Sequence, residues 1–292
     1  MTNKWLKVAL MVTAIATGTS IKIDAETVLY VPQDDRPVSL QYTVDTAREA
    51  GMTVLTPPQH LISGKTYQGQ ADQIMAWVEQ NAGRADVMVL STDTLIYGGL
   101  VDSRKHNIPL STLQNRLKRI EGLKARNKNV RIYGFGTVMR SPRASGGGTE
   151  PAYYAEYGPT IFQIAALQDK LDSGSLTQEE TQKLMSLQAS VPVEYLQDWF
   201  DRRQKNMKIN KELIDETRSG VFDYFALGHD DTSQLSQSAL EGRYLNKYSK
   251  DISVEKYGSF PGADQLGLLL MARSRTDAVS YTHLTLPTIC SV

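Results

Sequence analysis

Short runs of aliphatic and β-branched residues alternate along the chain with stretches of helical periodicity, and most runs end in polar or glycine residues. "TVLYV" leads into the turn "PQDDRP", and "YTVDTAREAG" reads as a helix closed by Gly51. "MTVLTPP" is the next strand, and "QADQIMAWVEQNAG" an amphipathic helix ending at Gly83. "DVMVLSTDTLIYGG" brings the third strand and "LSTLQNRLKRIEGLKARN" its helix, before a fourth strand in "VRIYGFGTVMRSP". A long interruption follows. "SGGGT" is a flexible loop, and residues 159–219 are almost wholly helical in pattern, with a capping-box-like Thr177 and Glu180. Then come "VFDYFALGHDDT", a helix around "SQSALEGRYLNKYS", and "ISVEKYGSFPGADQLGLLLMAR".

Apolar runs bounded by turn signals and separated by helices predict parallel βα units in an α/β fold. About six units are counted, and a complete (β/α)8 barrel takes roughly 250 residues without insertions. The expectation is an incomplete (β/α)8 barrel-like domain carrying a helical insertion at about 159–219; the alternative is an open doubly wound sheet. The domain is expected over residues 26–278.

The two ends change the picture. "MTNKWLK" and "VALMVTAIATG", closed by "IDA" before Glu26, read as a signal peptide over residues 1–25 and predict an exported, periplasmic or extracellular protein. The apolar stretch falls short of the ~20 residues that span a bilayer, so no membrane association is expected once the signal is removed. At the other end, Val279 to Thr288 resembles a translated sequencing-library adapter. Residues 279–292 are therefore set aside as an artefactual tail, with His283 and the lone Cys290, and the chain is expected to be a fragment. A formal net charge of zero, with no basic run, gives no pull toward nucleic acid. The expected partner is a small molecule or glycan; no cofactor is expected.

In either architecture, ligands sit at the carboxyl ends of parallel strands. Asp34, Asp35 and Arg36 follow the first strand, Asp93 and Tyr97 the third, and Arg140 the fourth. Asp230 and Asp231 follow the fifth and Asp264 the sixth. Clustered carboxylates shift one another's pKa values, so one can be held protonated while another stays ionised. Strand alternation puts Asp230 on the face of Ala226 and Gly228, opposite His229, and Asp93 in line with Val89 and Ser91. Plainer roles compete. Asp231, Thr232 and Ser233 could cap the next helix, Arg36 could merely neutralise a turn, Asp93 could be another cap, and Asp264 could only open a helix.

Taken in order, "DDRP", "STDTLIYGGLVDSR", "GFGTVMRSP", "GHDDT" and "PGADQLGLLLMAR" resemble the bacterial domain-of-unknown-function family 4127, over roughly Glu26 to Arg275. That resemblance implies no established activity. "YFALGHDDT" is also similar to the strand-end aspartate pair of substrate-assisted N-acetylhexosaminidases, which are barrel enzymes. This second likeness implies that Asp230 orients an acetamido group while Asp231 serves as acid/base. Catalysis is thus expected from Asp230 and Asp231. Asp34, Asp35, Arg36, Asp93, Tyr97, Arg140 and Asp264 are expected to bind the substrate of an exported glycan hydrolase. The alternatives are a metal-dependent hydrolase using His229, Asp230 and Asp34, although no spaced zinc motif is present, and a non-catalytic glycan-binding envelope protein.

Overall fold

The computed structural model describes residues 25–144, 147–231 and 233–289, with side chains as far as Ala278. The expected signal segment up to residue 24, and the side chains of the expected tail, lie outside the described residues. Strands β1 (Thr27–Val31), β2 (Thr53–Leu55), β3 (Val87–Ser91), β4 (Arg131–Val138), β5 (Tyr224–His229) and β6 (Tyr257–Pro261) form one six-stranded sheet in the order β2-β1-β3-β4-β5-β6. Every pairing is parallel.

Both faces are covered, which is why the strands read as unbroken apolar runs. Leu29, Val31, Met88, Leu90, Ile132, Phe225 and Leu227 face one layer of helices. It contains α2 (Ala71–Asn81), α5 (Leu110–Arg126) and α9 (Gln237–Tyr248). Val28, Tyr30, Val87, Val89, Tyr133, Phe135, Tyr224 and Ala226 face α1 (Gln41–Glu49) and α10 (Leu266–Ile289). The fold is thus α/β, built of parallel βα units as the periodicity predicts. A sequential barrel would place β2 between β1 and β3. Here β1 lies between them, the order of the doubly wound alternative, and the chain reverses its direction of winding at the β1/β3 crevice.

Two local readings change. The run "TDTLIY", expected simply to follow the third strand, forms a short helix, α3 (Thr92–Tyr97). The Ser91 hydroxyl caps it by accepting from the Thr94 N–H at 3.3 Å, and this local capping overrides the strand preference of the β-branched and aromatic residues. The insertion begins earlier than expected, with α6 (Tyr154–Asp172), followed by α7 (Gln178–Ser190) and α8 (Val193–Ser219). The Thr177–Glu180 capping box is present, with bonds of 3.0 and 3.1 Å. The first part of α8 joins a satellite core with Tyr154, Ile161, Ile164, Leu184 and Trp199. Its second part buries Ile209, Leu213 and Ile214 against the sheet and serves as the β4–β5 crossover. No helix among the described residues is long and apolar enough to cross a membrane.

Candidate functional site

The turn leaving β1 is organised by its own acids. Buried Asp34 accepts from the Arg36 backbone N–H at 3.2 Å and from Arg36 Nε at 2.8 Å. The Arg36 Nη2 then reaches Oδ1 of Asp264 at 2.7 Å, across the mouth of the site. Arg36 does neutralise a turn, as the plainer reading has it, but it also ties the exit of β1 to the exit of β6. Asp35 points elsewhere: it accepts from the Tyr67 phenol, and its N–H donates to Ser63 O at 2.9 Å.

Asp93 follows capping Ser91 and lies inside the first turn of α3, so strand alternation does not extend to it. Its Oδ2 accepts from Thr137 Oγ1 at 2.7 Å and Gln33 Nε2 at 3.4 Å, joining the ends of β1, β3 and β4. Burial raises its pKa to about 6, with the hydrogen bonds from Thr137 and Gln33 opposing. Because the folded protein holds this proton more tightly than the unfolded chain, stability is full below about pH 4 and declines as pH rises through about 6. Urea unfolding of the wild type compared with Asp93→Asn should show a difference shrinking by about 3 kcal/mol across that window. A pH-independent difference would remove Asp93 as its source.

Beyond Tyr97 the chain reverses through Gly98, at φ 113°, a left-handed conformation suited to glycine. A Cβ on Gly99 would overlap the Ser63 hydroxyl and approach Ser63 Cβ to 2.7 Å, so a rotamer change cannot relieve the clash. Gly99→Ala should therefore cost roughly 1–3 kcal/mol in urea unfolding; an unchanged midpoint would show that the Ser63 loop yields freely.

This reversal launches α4 (Leu100–Lys105), which carries Arg104 back to the rim. Arg104 is buried, and its Nη2 donates to Oδ2 of Asp230. Burial raises the Asp230 pKa, opposed by the charges of Arg104 and Arg140, and lowers that of Arg104, opposed first by Asp230. Desolvation outweighs mutual attraction for both members of the pair. Sequence reading missed Arg104 as a site residue. The available signal was its place at the end of "STDTLIYGGLVDSR".

Arg140 donates from Nε to Glu150 Oε1 at 2.8 Å and from Nη2 to Thr149 Oγ1 at 2.7 Å. Behind it, Arg203 of α8 holds the chain leaving β4. Its Nη2 donates to Met139 O at 2.6 Å and its Nη1 to Arg140 O at 3.0 Å, while Nε and Nη2 grip Glu241 of α9 at 2.7 Å each.

Asp230 and Asp231 diverge. Asp231 accepts from the Ser233 N–H at 2.9 Å and the Ser141 N–H at 3.3 Å, and lines a neighbouring groove with His229. The cap of α9 is Ser236, whose hydroxyl accepts from Ala239 N at 3.1 Å, so Asp231 does not cap that helix. His229 packs on Gly242 and its Nε2 lies 2.7 Å from Ser259 Oγ. Tyr97 is buried in the helical layer, stacked on His106 at 4.9 Å, and lines a different cavity of about 370 Å³.

Asp230 and Asp264 instead share a cleft of about 720 Å³, walled by Val38, Phe260, Leu266 and Leu269. Through Arg36 it adjoins Asp34. Of the acids expected at the rim, Asp34, Asp230 and Asp264 thus gather here, with Asp93 buried under the β1/β3 crevice. Asp35, Asp231 and Tyr97 face other surroundings. Among the described residues no group of three or more His, Cys, Asp and Glu is placed to hold a metal ion.

Residues 28–289 match the family described as "Protein of unknown function (DUF4127)". The chain belongs to that family. DUF4127 thus covers all six strands but for Thr27, and every rim residue above, and the match also reaches into the stretch set aside from residue 279. No curated protein and no solved structure matches the chain. The DUF4127 description states no activity.

Proposed function

We propose that the chain is a hydrolase of sugars or glycans, with the reacting bond held in the cleft between Asp230 and Asp264. The observation that carries this reading is the contrast between these two carboxyls across one hollow. Asp230, with a side chain 20% exposed, is pushed toward its protonated form by burial. Asp264 is 48% exposed and its Oδ1 lies 2.7 Å from Arg36 Nη2. Such a pair suits glycoside cleavage, in which one carboxyl protonates the leaving oxygen and the other activates water or stabilises positive charge at the anomeric carbon. Phe260 and the aliphatic walls suit the apolar face of a sugar ring, and the carboxylates its hydroxyls.

The substrate-assisted version gives the acid role to Asp231, whose carboxyl would first have to leave the Ser141 and Ser233 N–H groups. The cleft favours Asp230 and Asp264 as the working pair. The experiment is hydrolysis of a panel of aryl glycosides, aryl N-acetylhexosaminides included. Release of the aryl alcohol supports the reading, and saturable sugar binding without turnover would replace it with a glycan-binding protein. Export belongs to the same proposal. Mass spectrometry of the secreted protein should give an N-terminus at Glu26, and recovery of an intact Met1 from the cytoplasm alone would reject it.

A further inference from the structure

Arg104 carries more hydrogen-bonding capacity than the fold uses. It is 4% exposed, and among the described residues its guanidinium donates to Asp230 alone. A guanidinium has five N–H donors, and burying donors without acceptors costs roughly 1–3 kcal/mol each. The other buried arginines of this region differ. Arg203 spends its donors on Glu241, Met139 O and Arg140 O, and Arg202 on Asp198, His106 O and Asn107. Its side chain is still 5% exposed, and its partner Asp230 lines the cleft.

The surroundings define what those donors suit. Arg140 is taken up by Glu150 and Thr149, and Arg36 by Asp34 and Asp264, so Arg104 alone brings spare donors to Asp230. Beside Asp230, the Arg104 guanidinium therefore keeps donors and positive charge that no acceptor among the described residues takes up. Planar, charge-assisted N–H pairs match the oxygens of phosphate, sulfate or carboxylate better than they match a hydroxyl. We infer that Arg104 forms an oxyanion subsite beside Asp230 and binds an anionic group carried by the substrate. Resting on the hydrolase reading, this narrows the substrate to phosphorylated, sulfated or carboxylate-bearing sugars. In the empty protein, Asp230 Oδ2 accepts from Arg104 and so occupies part of the subsite.

The test is direct binding of inorganic phosphate, sulfate and acetate to the whole protein, followed by thermal unfolding and calorimetry against chloride at equal ionic strength. At least one of the three should raise the midpoint in a saturable manner. Arg104→Gln should weaken that binding about tenfold or more, and Asp230→Asn should strengthen it by removing the competing carboxylate. Should Arg104→Gln fail to fold, the sign of the Asp230→Asn effect decides. No response beyond chloride, or weaker binding in Asp230→Asn, overturns the subsite. Because no turnover is read, its failure leaves glycoside hydrolysis to be judged by its own assay. The preferred anion separates phosphorylated and sulfated substrates from carboxylate-bearing ones.

Discussion

Asp230→Asn is expected to lower turnover of a responsive aryl glycoside by roughly a hundredfold to ten-thousandfold, while the protein still folds. Asparagine keeps the shape of the side chain and an oxygen that can still accept from Arg104, but it has no acid proton to give. Loss of rate without loss of fold therefore separates proton transfer from support. The pH profile adds a second reading. Burial raises the Asp230 pKa, so the rate limb that needs its proton should fall at higher pH than for an ordinary aspartate. Asp264→Asn should be similarly damaging. Asp35→Asn, whose carboxylate faces Tyr67, should leave the rate nearly unaltered. Wild-type rates in both Asp230→Asn and Asp264→Asn would end the assignment of this cleft.

The largest stability effect should come from Arg203→Met, at about 3–5 kcal/mol in urea unfolding. The substitution leaves Glu241 buried with no counter-charge and strips donors from Met139 O and Arg140 O. It also ends the stacking of the guanidinium over Trp199, 5.1 Å from its ring centre. Adding Glu241→Gln should recover part of the loss, since the stranded charge is then gone, and this non-additivity marks the pair as one unit. A single-variant cost below ~1 kcal/mol would mean that water reaches Glu241 and replaces the arginine.

The βα rhythm was legible because each strand is buried on both faces and its helices carry a single apolar stripe, so the two periodicities stand apart in the text. Neighbour order was not: the pattern that announces β1, β2 and β3 is the same whether β2 lies between the others or outside them. Rim acids could be placed because a residue just past a strand has few directions to take. That logic put Asp34, Asp230 and Asp264 together and failed for Asp231 and Tyr97. One residue beyond a strand end, backbone N–H groups redirect the carboxyl, as Ser141 and Ser233 do with Asp231. Tyr97 was assigned as though it followed a strand, but the Ser91 cap had already started a helix that turns it inward. Arg104 was overlooked because its partner is 126 residues away and no spacing rule joins them.

The long helix α8 belongs to two bodies at once, its start packed within the helical insertion and its end against the sheet. Trimming the domain to a minimal scaffold cannot be done by excising the insertion wholesale, because that would also remove the helix that carries the chain from the fourth strand to the fifth. A workable miniature would cut out α6 and α7, keep α8 from about Asn206 onward, and still need a substitute for the grip of Arg203.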